Sequence, residues 1–167
     1  MIFAIDCQYY DDTAIAAGIL FKNWSDEQIT AKQVNTIENI APYEPGQFYK
    51  RELPCILSVL KSLDTQPDII IVDGYVTLSS AQKPGLGMHL YEALEQQIPV
   101  IGVAKRSFVD TPKEAGILRG KSENPLYISS VGIDLEQAKE HILHMHGKNR
   151  HPTLLKYVDQ LARGIVT

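Results

Sequence analysis

The sequence predicts an α/β domain built on a mixed five-stranded sheet, three antiparallel strands and then parallel ones, flanked by helices. Three observations carry this. Two short aliphatic runs, Ile2-Phe3-Ala4-Ile5 and Ile69-Ile70-Ile71-Val72, have the composition of strands buried on both faces in the middle of a sheet. Two further β-prone segments follow the first run at short spacing, the pattern of a meander. After residue 51 helical and strand periods alternate, and that alternation makes the later strands parallel. With 167 residues the chain is the size of one domain, so residues 1–167 are read as a single unit. A chain of this length buries about two-thirds of its unfolded surface and needs no covalent staple.

Taken in order, the first apolar run leads into Asp6, and the β-prone segments Thr13–Phe21 (TAIAAGILF) and Glu27–Ile37 (EQITAKQVNTI) follow, separated by the polar turn Lys22–Asp26. From Arg51 the period changes: Leu53, Ile56, Leu57, Leu60 and Leu63 recur every three or four residues, marking a helix that stops before Pro67. A strand over Asp68–Asp73, a helix over Leu86–Gln96 and a short buried strand over Pro99–Val103 complete the alternation. Beyond Lys105 a polar connection leads to two edge strands, Gly116-Ile117-Leu118 and Leu126-Tyr127-Ile128. Two helices close the chain, one marked by Leu135, Ala138, Ile142 and Met145, the other by Leu154, Leu155, Val158 and Leu161. No internal repeat and no low-complexity linker interrupts the pattern. This order is that of a ribonuclease H-like domain, in which the first and fourth strands are neighbours.

Both central runs end in aspartate, at Asp6 and Asp73. On neighbouring strands the two carboxylates would share one edge of the sheet. Carboxylates a few Å apart repel, which raises one pKa unless a divalent cation neutralises both, and hard oxygen ligands suit Mg²⁺ or Mn²⁺. Aspartate is also a common strand terminator, and Asp73-Gly74 is an ordinary turn signal, so these runs leave a metal site and a plain turn both open.

Composition narrows the function class. With 44% hydrophobic and 22% charged residues the chain has the make-up of a soluble globule, with no apolar stretch of membrane-spanning length and no basic-then-apolar leader at Met1. The expected compartment is the cytoplasm. Cys7 and Cys55 lack CxxC spacing and are expected as reduced thiols rather than a disulfide or a zinc site. A net charge of −4 argues against coating nucleic acid by bulk attraction. The distribution is uneven: residues 1–48 carry −5, residues 49–100 carry −2 and residues 101–167 carry +3. The positive side is built late in the chain, either as a phosphate-binding surface or as a merely dipolar, solvated one.

The stretch Pro42-Tyr43-Glu44-Pro45-Gly46-Gln47-Phe48-Tyr49-Lys50-Arg51-Glu52-Leu53-Pro54 resembles the segment PYxPG…F-RE-x-P of endonuclease V enzymes. Pro67–Gly74 looks like that family's PDxxxVDG, Gly85–Leu90 like its G-x-A-x-H-L, Ile98–Lys105 like its P-x-IGVAK, and Pro125–Ser129 like its late PLYVS strand. Arg150-His151-Pro152-Thr153 resembles the motif before the last helix. The matches run in the same order and cover most of the chain.

The resemblance implies a Mg²⁺-dependent nuclease with a ribonuclease H-like fold, Mn²⁺ substituting, that cuts a nucleic-acid strand near inosine. Carried over by motif, Asp6 and Asp73 would be metal-binding carboxylates and Glu52 the third acid. Lys105, at the end of a parallel strand, would steady the scissile phosphate. Tyr43, held between Pro42 and Pro45, matches the family's wedge, an aromatic that fills the gap left when a base rotates out of the stack. Arg51, Gly74, Tyr75 and His89 fall in the same motifs as nucleic-acid contacts, with Lys83 as a further phosphate contact. Without the family, Glu52 would be an acid favoured by a helix start and Tyr43 part of a polyproline turn.

Three departures accompany the match. The chain begins close to Asp6, so the helix that family members usually carry before the first strand is not expected. The family's His-Gly and His-Pro-Arg after its Asp-Gly give way to Tyr75-Val76-Thr77-Leu78-Ser79-Ser80-Ala81-Gln82-Lys83-Pro84, in a loop that helps form the base pocket. Its late Gly-His step is replaced by Ser130-Val131-Gly132-Ile133-Asp134. Asp134 is therefore a candidate replacement metal ligand, and equally the N-cap of the helix beginning at Leu135. His141, His144, His146 and His151 lack ligand spacing and read as solvated helix-end residues.

The expected partner is nucleic acid, DNA or RNA, rather than a membrane, and the chain is expected to act as a monomer. Two other functions stand beside the nuclease. A catalytically impaired binding protein of the same fold would use Lys83, Arg106, Arg119, Lys121, Lys148 and Arg150, and a smaller cleft would suit a metal-dependent phosphoesterase for a small molecule.

Overall fold

The computed structural model describes residues 1–78 and 83–167. Strands β1 (Ile2–Tyr10), β2 (Thr13–Phe21) and β3 (Ala31–Ile37) form the antiparallel meander. Helix α1 (Tyr49–Lys61) leads to β4 (Ile69–Asp73), which lies parallel to β1. A small hairpin, β5 (Thr77–Leu78) and β6 (Lys83–Pro84), precedes α2 (Leu86–Ala93) and β7 (Val100–Ala104), and β7 is parallel to β4. The expected five-stranded sheet is present, in the order β3-β2-β1-β4-β7. It is extended by β9 (Leu126–Val131) and β8 (Gly116–Ile117), the two short edge strands, which pair antiparallel and bring the sheet to seven strands. Helices α3 (Leu135–Leu143) and α4 (Thr153–Ala162) follow. None of the helices described is long and apolar enough to cross a membrane.

The sheet is covered on both faces, which is why its central strands are almost wholly apolar. Ile2 and Ala4 of β1 join Ile69 and Ile71 of β4 beneath α3 and α4, whereas Phe3, Ile5, Ile70 and Val72 point to the other face, against Cys55, Ile56 and Val59 of α1 and Leu86 and Leu90 of α2.

Two elements are shorter than their sequence periods. β3 starts at Ala31 because residues 27–30 continue the bend begun at Lys22, where the Asp26 carboxylate accepts hydrogen bonds from the backbone N–H of Lys22 (3.1 Å) and Asn23 (2.9 Å). α2 stops at Ala93 because Glu95 and Gln96 adopt φ of 57° and 60°.

Candidate active site

The parallel register of β1 and β4 pairs Ile2 with Ile69 and Ile5 with Val72, so the next step along both strands sets Asp6 opposite Asp73. Side chains alternate along a strand, and Asp6 shares its face with Ile2 and Ala4 as Asp73 does with Ile69 and Ile71. Both carboxylates therefore project to the same side, toward α4. That helix packs over β1 and β2 on its Leu154, Val158 and Leu161 stripe, and its Asp159 is the third acid of the cleft. The cleft holds about 440 Å³ and is lined by Asp6, Asp73, Lys105, Asn149, His151 and Asp159 among others. Glu52 approaches from the opposite face, on the first turn of α1, where it is only 3% exposed.

Charge is concentrated here. Asp6 is 8% exposed, and burial, followed by the Asp73 carboxylate, pushes its pKa up to about 7 even though the Cys7 N–H donates to its Oδ1 at 2.8 Å. Asp159 lies within hydrogen-bonding reach of Asp6 and raises it further. Burial, then Asp6 and Asp73, holds the Glu52 carboxyl well above its ordinary range, and its Oε2 has no hydrogen-bond partner among the described residues. Asp73 is raised by burial and by Asp159 against the pull of Lys105, but it opens to solvent at the cleft, which softens the effect. Two cations border this knot at its Asp159 corner: Arg163 Nε lies 3.1 Å and Lys105 Nζ 4.0 Å from Asp159 Oδ1.

Buried carboxylates that repel one another, one with an orphaned oxygen, are what a hard divalent cation relieves, and a donor set made only of oxygen suits Mg²⁺ or Mn²⁺. Among the described residues no three His, Cys, Asp or Glu side chains already converge on one point. Asp6 and Asp73, on the neighbouring strands β1 and β4, and Asp159 on α4 line the cleft, and Glu52 stands behind them on α1.

The stretch that carries Asp6, Glu52, Asp73 and Lys105 falls within a known protein family. Residues 1–122 match its model, described as endonuclease V. This chain belongs to the endonuclease V family. An endonuclease V from Thermococcus kodakarensis is 32% identical over 163 residues, covering 96% of this chain and 77% of that protein. The crystal structure of endonuclease V from Streptomyces avermitilis is 30% identical with a TM-score of 0.76, covering 98% of this chain and 80% of that one. Ciona intestinalis endonuclease V, solved with a 24mer DNA containing an inosine followed by a ribo-adenosine, shares the fold at a TM-score of 0.77 and 18% identity, over 98% of this chain and 84% of that one. The family model ends before α4, so the role of Asp159 rests on its position.

Seen as a nuclease of the endonuclease V family, the chain distributes its other expected site residues unevenly. Tyr43 is 60% exposed on the Pro42–Pro45 segment, and the Arg51 guanidinium stands 4.0 Å from the centre of the Tyr9 ring and 6.0 Å from that of Tyr43. Arg51 thus links the exposed tyrosine to β1, a few residues from Asp6. Gly74, at φ +132°, turns the chain out of β4 and donates its N–H to the Val103 carbonyl. Tyr75 leads away from the acids: its hydroxyl donates to the Arg106 carbonyl, its ring packs edge-on against Phe108, and it lines a separate pocket of about 250 Å³. His89 stacks on Tyr49 at 3.6 Å, between α2 and α1, and does not line the acid cleft. Lys83 is exposed on the β6 hairpin, and residues 79–82 of the altered loop lie outside the described residues.

Three expectations are corrected by the topology. Asp134 cannot join the acids, because β9 runs antiparallel to β7 and pairs Val131 with Val100, carrying the chain to the end of the sheet remote from Asp73. There Asp134 caps α3, accepting the Gln137 N–H at 3.2 Å. Arg119 is no surface cation, being 4% exposed and bonded to backbone carbonyls, whereas Arg150 stays half-buried at the surface while one amino group donates to the carbonyls of Lys105 and Pro125. His151 is not solvated at a helix end but lines the cleft, where burial and then Lys105 and Arg150 lower its pKa and keep it neutral. Asp159 and Asn149 went unsuspected. The one signal for Asp159 was an acid placed beside the apolar stripe of the last helix.

Proposed function

We propose that this protein is a Mg²⁺-dependent endonuclease, active also with Mn²⁺, that hydrolyses a phosphodiester bond near a deaminated base such as inosine in DNA or RNA. The observation that carries this reading is Asp6 facing Asp73 in register, on the side of the sheet that α4 closes with Asp159. These three would hold the metal, and buried Glu52 would orient water around it from behind. Bound there, the ion would supply phosphate polarisation and a hydroxide at neutral pH.

The remaining steps belong to the chain. Lys105, exposed at the end of β7, is placed to hold a non-bridging oxygen of the scissile phosphate. Tyr43, presented on two prolines and steadied by Arg51, is a stacking surface for a displaced base or for the gap it leaves. Neutral His151, near Lys105 and Arg150, can accept or donate a hydrogen bond at the cleft wall without adding charge. The DNA carried by the Ciona intestinalis relative, with its inosine, supports the substrate class.

The experiment is nicking of a labelled oligonucleotide with one inosine. Mg²⁺ should be required, and Asp6→Asn or Asp73→Asn should lower the single-turnover rate by about a hundredfold or more, the scale on which loss of a preorganised charge acts. Cutting that survives in both variants would reject the assigned site.

A further inference from the structure

Lys121 and Lys148 belong to different turns, yet the fold holds both on one shallow depression. Arg119 is the reason. Its Nη1 donates to the carbonyls of Asn149 (2.7 Å) and Arg150 (3.3 Å), and its Nη2 to those of Met145 (2.6 Å) and Gly147 (3.0 Å). All four belong to the connection between α3 and α4, so one rigid guanidinium fork pins that turn to the chain that follows β8. The next residue, Gly120, has φ +62°, and a Cβ there would lie 2.1 Å from the Lys148 carbonyl oxygen. The two turns meet backbone to backbone.

Lys121, Ser122, Lys148, Asn149 and Arg150 line the resulting depression, of about 370 Å³. Arg150 also lines the neighbouring hollow under Lys105, Arg106 and Asn124, and it reaches the acid cleft itself. A basic path thus leads from Lys105 to the outer edge of the sheet. Among the described residues no carboxylate lies within ion-pair distance of Arg106, Lys121 or Lys148. Ammonium groups gathered on a fixed scaffold and engaged in no ion pair attract anions, and lysine suits phosphate read as a point charge.

We propose that this ledge binds the phosphate backbone of the nucleic-acid substrate on the side of the scissile bond away from the recognised base. The inference rests on the nuclease reading above. Arg51, over Tyr9 near the end of β1, and Tyr43 beside it stand on the α1 face of the sheet, whereas the ledge leaves the acid cleft through Arg150 toward the β8–β9 edge. A strand whose displaced base meets Tyr43 and whose phosphate meets Lys105 runs on over Arg106, Arg150, Lys148 and Lys121. Such contacts position the strand without reading its sequence.

The test compares two inosine oligonucleotides that share the inosine and the scissile bond and differ only in continuing several nucleotides past that bond. Binding is measured without Mg²⁺ over a salt series, for the full chain and for Lys121→Ala/Lys148→Ala, both of which change exposed side chains. The double variant should bind the longer strand roughly tenfold more weakly, with a salt slope smaller by about 1.4 to 1.8 for two lost phosphate contacts. Its affinity for the shorter strand and its saturating single-turnover rate in Mg²⁺ should equal those of the parent. Unchanged affinity and slope on the longer strand, or an equal loss on both strands, would overturn the ledge. Absence of cleavage by the parent protein would count against the nuclease reading alone, because the binding comparison still decides the ledge.

Discussion

Asp6 shows how one buried carboxyl couples stability to pH. Its pKa of about 7 in the folded chain exceeds the ordinary 3.8, so between those values the native state holds a proton that the unfolded state has released. Stability of the metal-free protein therefore falls as pH rises from about 4 to about 7. Asp6→Asn removes the titration and keeps an oxygen for the Cys7 N–H. At pH 8 and without metal it should melt several degrees above the parent, at about 2–4 °C per kcal/mol for this size, and the two curves should converge near pH 4. Equal melting at pH 8 would refute the buried-charge account. Asp159 and Asp134 make a second residue-level contrast. Asp159→Asn should lower inosine-dependent nicking by about a hundredfold or more. Asp134→Asn should leave nicking intact and cost at most about 1 kcal/mol of stability in denaturant titration, since asparagine caps helices almost as well. Asp6 and Asp73 are legible because each follows an apolar run; of the two readings open for Asp134 the N-cap holds and the metal ligand fails, because adjacency to a missing histidine is no substitute for geometry. Asp159 was hidden: it is 86 residues beyond Asp73, and only the crossing of α4 over β1 brings them together.

At the scale of elements, periodicity found every core strand and all four helices, because both-face burial and single-stripe burial leave different spacings. What it missed were endings set by backbone conformation, such as Glu95 and Gln96 closing α2 with positive φ, and the Asp26 bend that delays β3. The clamp between the chain after β8 and the α3–α4 turn was also invisible, since Arg119 reads as a surface cation until its carbonyl partners are seen. Gly120 carries the prediction at this scale. Alanine there meets both a positive φ and the Lys148 carbonyl 2.1 Å away, so Gly120→Ala should destabilise the protein by about 1–3 kcal/mol in urea. A shift of the urea midpoint within error of zero would mean that the two turns are not held in backbone contact.

For the whole molecule, the mixed sheet is a device for collecting charge of opposite sign from distant parts of the chain. Asp6, Glu52, Asp73 and Asp159 gather around the middle of β1 and the end of β4, while Lys105 and the basic residues of the β8–β9 edge lie to one side. On the proposed reading this centre takes up a divalent cation. The most direct measurement is anomalous diffraction from crystals of this protein soaked in Mn²⁺. An ion bridging the carboxylates of Asp6 and Asp73 at about 2.0–2.3 Å, with Asp159 in its coordination sphere, is the expected result. Manganese bound elsewhere, or none at millimolar concentration, would contradict the account.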